Sequence, residues 1–315
     1  MSAAAVAPAA IERLDTLAAE RRIELTPDRA LGPLTTLRVG GSAQRFIEAA
    51  DRDALLAALR LARDAEVPAF VLGNGSDLVV SDRGIGGLVV RNRAKAVTVD
   101  ETDLTADAGA PMAMLVKRCI VEGLAGLEFG ISIPGTLGGA VWANAGAHGG
   151  EIKDVLVGAV AWDPRTDAVA TLANPDCEFD YRESRFKHSA EVLLGATLRL
   201  ERGEPDPIRE RVDANQAQRR ATQPLADQNA GSVFRNPPGD HAGRLIDVAR
   251  LKGHRIGSAE VSTLHANFIL ADRGGRAADV RALGDHMRTV VAQRFGVELE
   301  YEIEFVGDWR EERDA

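Results

Sequence analysis

Ile11, Leu14, Leu17 and Ala18 recur at helical spacing between about Ala9 and Arg22, which predicts an amphipathic N-terminal helix. A strand-like run over Arg45–Ala50 leads to Asp51, a residue suited to cap a helix carrying Leu55, Leu56 and Leu59 on one face. The apolar run Ala69–Leu72 then breaks off at GNGSD (Gly73–Asp77), so a strand, helix, strand unit feeds a glycine loop. Further strands are predicted over Gly87–Arg91, Ala96–Asp100 and Leu104–Ala108, and Pro111 stands at the start of a helix holding Met114, Leu115 and Cys119. Nine of the 28 residues from Gly123 to Gly150 are glycine, so this stretch must turn tightly or approach something closely.

Strand patterns return at Val155–Trp162 and Val192–Leu200, and the charged segment Glu201–Asp206 reads as a domain junction. Beyond it the pattern predicts a polar helix over Pro207–Arg220, a loop over Ala230–Asp240, helices over Ala242–Leu251 and Ala277–Phe295, and a last strand over Val297–Val306. In that strand Leu299, Tyr301, Ile303 and Phe305 share one face. Glu298, Glu300, Glu302 and Glu304 share the other, where a solvated acidic surface is the local expectation.

A chain of 315 residues with 45% hydrophobic and 27% charged residues is a folded protein of about two domains. The net charge of -9 and the absence of a lysine and arginine stripe argue against nucleic acid as a partner. Cys119 and Cys177 stand apart from each other and from histidines at ligand spacing, which points to a reducing compartment and no metal. The N-terminus lacks a basic, apolar leader, and no uncharged run reaches the roughly 20 residues of a membrane helix. A cytoplasmic protein without a membrane partner is expected.

In VLGNGSDLVV (Val71–Val80) two glycines and a hydroxyl lie between apolar strands, where successive backbone N–H groups can face an anion. A tight hairpin connection is the equal alternative. The loop is not a Rossmann fingerprint, since the G-x-G-x-x-G pattern fails at Leu78, and no P-loop occurs. The second stretch is more specific. Gly135, Gly138 and Gly139 after Pro134, with the small residues Ala140, Ala143, Ala145 and Gly146, strip side-chain bulk from a continuous track that a flat cofactor could follow.

The succession TTLRVGG (Thr35–Gly41), LGNGSD, GLEFGISIPGTLGGAVWANAGAHGGEI, YRESRFK (Tyr181–Lys187), AGSVFRNP (Ala230–Pro237), AGRLID with LKG, and LEYEIEFVG (Leu299–Gly307) closely resembles the UDP-N-acetylenolpyruvoylglucosamine reductase family. The resemblance runs in order through nearly the whole chain. It implies an α+β fold: an FAD-binding region of the vanillyl-alcohol-oxidase (PCMH) type in two subdomains, and a C-terminal α+β substrate domain. The corresponding boundaries are residues 1–30 for the N-terminal helix and lead-in, 31–201 for the FAD region (about 31–95 and 96–201), and 202–315 for the substrate domain.

The resemblance further implies non-covalent FAD, NADPH as co-substrate, and reduction of UDP-N-acetylglucosamine enolpyruvate to UDP-N-acetylmuramate in peptidoglycan precursor synthesis. It assigns flavin binding to Gly73, Asn74, Gly75, Ser76, Asp77, Pro134, Gly135, Gly138, Gly139, Asn144, Ala145, Gly146 and Ile152. Catalysis falls to Arg182, Ser232 and Glu302, and substrate contact to Tyr181, Arg220, Asn236 and His265. Read from its spacing alone, Ser232 is a turn residue, and His265 is a hydrogen-bonded fold residue. Thr35, Leu37 and Asp77 stand where the family tends to have Asn, Phe and Asn. Only about 50 residues, none of them tyrosine, separate Tyr181–Arg182 from AGSVF, which marks the shorter subgroup without an extra substrate-covering loop.

Overall fold

The computed structural model describes residues 6–310; the first five and last five residues of the expected end segments lie outside it. Near the N-terminus, Ser42–Ala49 and Ala69–Leu72 both pair in parallel with Ile85–Asn92, and Thr26–Ala30 adds an antiparallel edge. That edge strand, TPDRA, is exposed along its length and has no apolar alternation, so backbone pairing alone makes it a strand. Asp51 accepts a 2.8 Å hydrogen bond from the Ala54 N–H and starts the helix Arg52–Asp64. The helix buries Leu55, Leu59 and Leu61 in a core shared with Ile11 and Leu14 of the N-terminal helix Pro8–Glu20. Leu56 is only partly buried.

A five-stranded antiparallel sheet follows, in the order Ala168–Ala173, Leu156–Asp163, Val192–Arg199, Asp103–Asp107 and Val97–Asp100. The helix Met112–Glu122 packs on it and ends where Gly123 takes φ +63°, the left-handed closing geometry that suits glycine. The charged segment after Leu200 behaves differently from its reading as a junction. Glu201–Arg202 pairs with Leu124–Ala125, and the helix Pro205–Thr222 buries Ile208 and Val212 in the core of this same sheet. Arg211 binds Glu128 at 2.6 Å across that contact. By packing, the break therefore falls after Thr222, because two apolar side chains on a polar helix tie it back to the second subdomain.

The C-terminal part is a three-stranded antiparallel sheet, Arg255–Ile256, Ala259–Val261 and Ile269–Ala271, covered by the helices Ala242–Val248 and Ala277–Phe295. Its core takes in Leu37, Val39 and Val79 from the N-terminal region, so the outer parts of the chain close on each other. The predicted final strand contracts to Glu304–Val306, which pairs in parallel with Leu78–Val80. Ahead of it the backbone runs beside the Ala230–Pro237 loop instead of a sheet, through Arg235 N–H to Glu300 O at 2.9 Å and Glu302 N–H to Val233 O at 2.8 Å.

Candidate functional site

The two glycine stretches meet. The Asn74 amide donates to the carbonyls of Pro134 and Gly135, at 3.1 and 3.3 Å. Gly73–Asp77 is not a hairpin connection, because Ala69–Leu72 and Leu78–Val80 belong to different sheets. Its glycines are required by close approach: a Cβ on Gly73 would come within 2.8 Å of Thr136 Oγ1, and one on Gly75, at φ +60°, within 2.8 Å of Leu34 O. Along the second track the glycines divide. Gly138 would strike Ala108 and Gly146 would strike Gly150 O, at 2.9 and 2.7 Å, whereas Gly139 has nothing nearer than Thr136 Oγ1 at 3.8 Å. Gly135 would meet only Ser76 Oγ, at 3.3 Å. Pro134 and Gly139 are exposed, so the track presents a bare backbone surface.

Asn144 and Ile152 lie underneath that surface. Asn144 is fully buried; its amide donates to Asp180 O at 2.9 Å and Glu151 Oε2 at 3.2 Å, and its oxygen accepts from the Lys153 N–H at 3.0 Å. It clamps the end of the track to the segment that carries Tyr181 and Arg182. Ile152 is core, with its N–H on Ala145 O at 3.1 Å. Support of the track, not its exposed face, is where the structure puts both.

Arg182 adopts φ +55°, a strained value for a non-glycine residue that turns its side chain inward. Its Nε donates to Glu302 Oε1 at 2.8 Å and its Nη2 to Gly146 O at 2.9 Å, and Nη1 has no partner among the described residues. Burial works against the guanidinium charge, but the Glu302 charge and hydrogen bond outweigh it and hold the group above its usual range. Tyr181 stacks its ring 5.0 Å from the Arg182 guanidinium carbon and accepts the Asn236 N–H through its hydroxyl at 3.4 Å. Tyr181, Arg182, Asn236 and Glu302 thus come together from three distant segments.

Ser232 follows Gly231, whose φ of +81° turns the chain, and its hydroxyl makes no hydrogen bond among the described residues. The next residue, Val233, accepts the Glu302 N–H, so Ser232 is held one residue from the Arg182 partner. Phe234 is fully buried and stacks on Tyr301 with centroids 5.0 Å apart, while buried Asn267 bonds both backbone groups of Phe234 at 2.8 and 3.0 Å. Burying such a ring contributes about 1.5–3 kcal/mol, enough to fix the loop.

Two of the remaining expected contacts sit differently. Arg220 is exposed on the last turn of its helix, and its side chain makes no hydrogen bond or ion pair among the described residues. His265 accepts the Asn267 N–H at 3.2 Å and lies edge-on to Phe268; burial lowers its pKa, which favours the neutral ring. The Asn236 side-chain oxygen accepts the Ala242 N–H at 3.1 Å, at the start of the helix Ala242–Val248.

The acidic face of the terminal segment splits in two. Glu298 and Glu300 are exposed, whereas Glu302 pairs with Arg182 and Glu304 with Lys187 at 3.2 Å. Lys187, whose side chain is only 9% exposed and set 4.2 Å from the Trp142 ring centre, is a buried cation that the sequence reading did not single out. Its one signal was the apolar Phe186 before it, which pulls the end of YRESRFK inward. Among the described residues no group of three His, Cys, Asp or Glu side chains gathers as a metal site, and no helix is long and apolar enough to cross a membrane. Burial pushes the Cys119 thiol up to about 12 and the Cys177 thiol up to about 11.

A family model described as an FAD binding domain matches residues 43–171, which contain both glycine tracks. The class is therefore an FAD-containing oxidoreductase of α+β fold, an FAD binding domain with an added C-terminal domain. That added part, residues 223–306, matches the model for the UDP-N-acetylenolpyruvoylglucosamine reductase C-terminal domain, and its start agrees with the packing break after Thr222. The reductase of that name from Synechococcus sp. (strain RCC307) is 42% identical over 90% of this chain and 95% of its own; that from Nitrobacter hamburgensis is 40% identical over 91% and 94%. A crystal structure of the Thermus caldophilus reductase superposes with a TM-score of 0.76 at 33% identity, covering 90% of this chain and 98% of that one. The chain belongs to the UDP-N-acetylenolpyruvoylglucosamine reductase family.

Proposed function

We propose that the protein uses NADPH and non-covalent FAD to reduce UDP-N-acetylglucosamine enolpyruvate to UDP-N-acetylmuramate, as a cytoplasmic step of peptidoglycan precursor synthesis. The observation that carries this reading is the convergence of Arg182, Glu302 and the Ser232 loop beside two tracks that lack side chains. The residues fit the cofactor: exposed Gly139 and half-buried Gly135 leave space a Cβ would fill, and the Gly73–Asp77 loop offers backbone N–H groups to a diphosphate. Bound there and reduced by NADPH, the flavin would supply the hydride for the terminal carbon of the substrate's enol ether.

Charge then builds on the neighbouring carbon and its carboxylate. Arg182 meets that carboxylate with Nη1, which has no partner among the described residues, and it stabilises the developing charge more than the bound substrate. Glu302 holds the guanidinium through Nε, and Gly146 O steadies Nη2. The Ser232 hydroxyl, which makes no hydrogen bond among the described residues, gives the final proton to the substrate carbon. A serine is a weak acid, but an enolate is a strong base, so proximity governs this transfer. Tyr181, Asn236 and Arg220 face the nucleotide sugar, and His265 supports the helix behind them.

The test is direct. The purified protein is expected to be yellow, NADPH alone to bleach it, and the enolpyruvyl nucleotide sugar to restore the colour with one equivalent of product. A colourless protein that gains no absorbance with added FAD would overturn the reading.

A further inference from the structure

Thr36 touches two loops at once. Its backbone N–H donates to Gly75 O at 3.0 Å, in the middle of the first glycine loop, and its hydroxyl donates to Asn229 O at 2.7 Å, 193 residues further along the chain. Gly75 O also lies 3.4 Å from that hydroxyl, but a threonine has one hydroxyl proton to give and the shorter contact takes it. Thr36 is itself held by its neighbours. Buried Thr35 donates to Gly32 O and accepts the Arg38 N–H, both at 3.1 Å, and Leu37 packs into the C-terminal core.

Asn229 organises the turn that precedes Ser232. Its amide donates to Pro224 O and Asp227 O, both at 2.9 Å, and its side-chain oxygen accepts the Gly231 N–H at 3.0 Å. Gln228 beside it accepts the Ala271 N–H at 3.0 Å and returns a side-chain bond to Ala271 O at 3.3 Å. On the other side of Ser232, Val233 donates to Asn267 O and accepts the Glu302 N–H, each at 2.8 Å. Ser232 therefore lies between two anchored residues, with Gly231 as the joint: its φ is +81°, and a Cβ there would meet nothing within 4 Å. Such a joint keeps its angle only as well as its ends are fixed, so the place of the Ser232 hydroxyl depends on what holds Asn229.

We propose that Thr36 is a positioning residue for the proton transfer: through Asn229, its hydroxyl sets Ser232 at a fixed distance from the glycine loop that holds the flavin. The inference rests on the flavin reading above and deepens it. Hydride and proton go to adjacent carbons of one double bond, yet their donors are carried by parts of the chain far apart in sequence, so a direct bond between those parts keeps the two in register. Misplacing a reacting group by about 1 Å can cost about 10²-fold in rate. Thr36 needs no contact with the substrate for this. The hydroxyl alone makes the bridge, so serine should serve as threonine does, whereas valine keeps the shape and loses the donor.

The experiment uses the full-length, flavin-loaded protein and follows flavin colour by stopped flow. Thr36 is exposed, so Thr36→Val removes a donor without disturbing a core. Reduction by NADPH should keep its wild-type rate and the half-saturating substrate concentration should hold, while reoxidation at saturating substrate slows by about tenfold or more. Thr36→Ser should restore it. In a Ser232→Ala background Thr36→Val should cost nothing further, because its effect passes through the missing hydroxyl. Wild-type reoxidation in Thr36→Val, or an equal loss in both backgrounds, overturns the inference while the flavin reading stands. A wild type whose colour the substrate does not restore sinks that reading and the inference with it. Should Thr36→Val fail to fold, Asn229→Ala, which frees the same turn from its other end, must show the same loss and the same silence behind Ser232→Ala.

Discussion

Gly139 separates a glycine kept for the fold from one kept for a ligand. It is exposed within the short helix Leu137–Trp142, and a Cβ there would find nothing nearer than Thr136 Oγ1 at 3.8 Å. Alanine should therefore fit, and by restricting the unfolded chain and favouring the helix it should stabilise the flavin-free protein by about 0.5–1 kcal/mol. If the bare track carries the cofactor, the added methyl intrudes on it. Over-packing of that kind costs about 1–3 kcal/mol, which corresponds to an affinity loss of roughly 5- to 150-fold. The assay pairs thermal unfolding of the flavin-free protein with FAD titration. Gly138→Ala is the control: its Cβ would lie 2.9 Å from Ala108 Cβ, so it should destabilise the flavin-free protein itself. A Gly139→Ala protein that is more stable and binds FAD as tightly as the wild type would refute the assignment of the track.

Arg182→Lys keeps the charge but loses the planar fork that contacts Glu302, Gly146 and the open Nη1 position, so substrate-dependent reoxidation should slow by about 10²-fold or more. Stopped-flow traces of flavin colour measure it, and wild-type reoxidation would make the arginine peripheral. Ser232→Ala should leave reduction by NADPH nearly unchanged while substrate-dependent reoxidation falls by about 10²–10⁴-fold; an unaltered second phase would remove the hydroxyl from the mechanism.

Much of the architecture could be read from local pattern, because amphipathic periodicity and capping are properties of neighbouring residues. Asp51 as a cap, the strand Ala69–Leu72 and the helix following Pro111 all appear where their patterns put them. Local pattern fails where partners are distant. The exposed edge strands Thr26–Ala30 and Ala168–Ala173 owe their form to a neighbour's backbone, and Ile208 and Val212, two apolar residues on a charged helix, decide which core claims it.

The site divides along the same line. The chain by itself specified two stretches poor in side chains and an ordered series of motifs, since glycine, serine and arginine carry their chemistry wherever they stand. Periodicity could not choose Glu302 and Glu304 over Glu298 and Glu300, for all four alternate alike. Only the tertiary structure set Arg182 and Lys187 opposite two of them, because an electrostatic environment depends on which segments meet in space and not on their order along the chain.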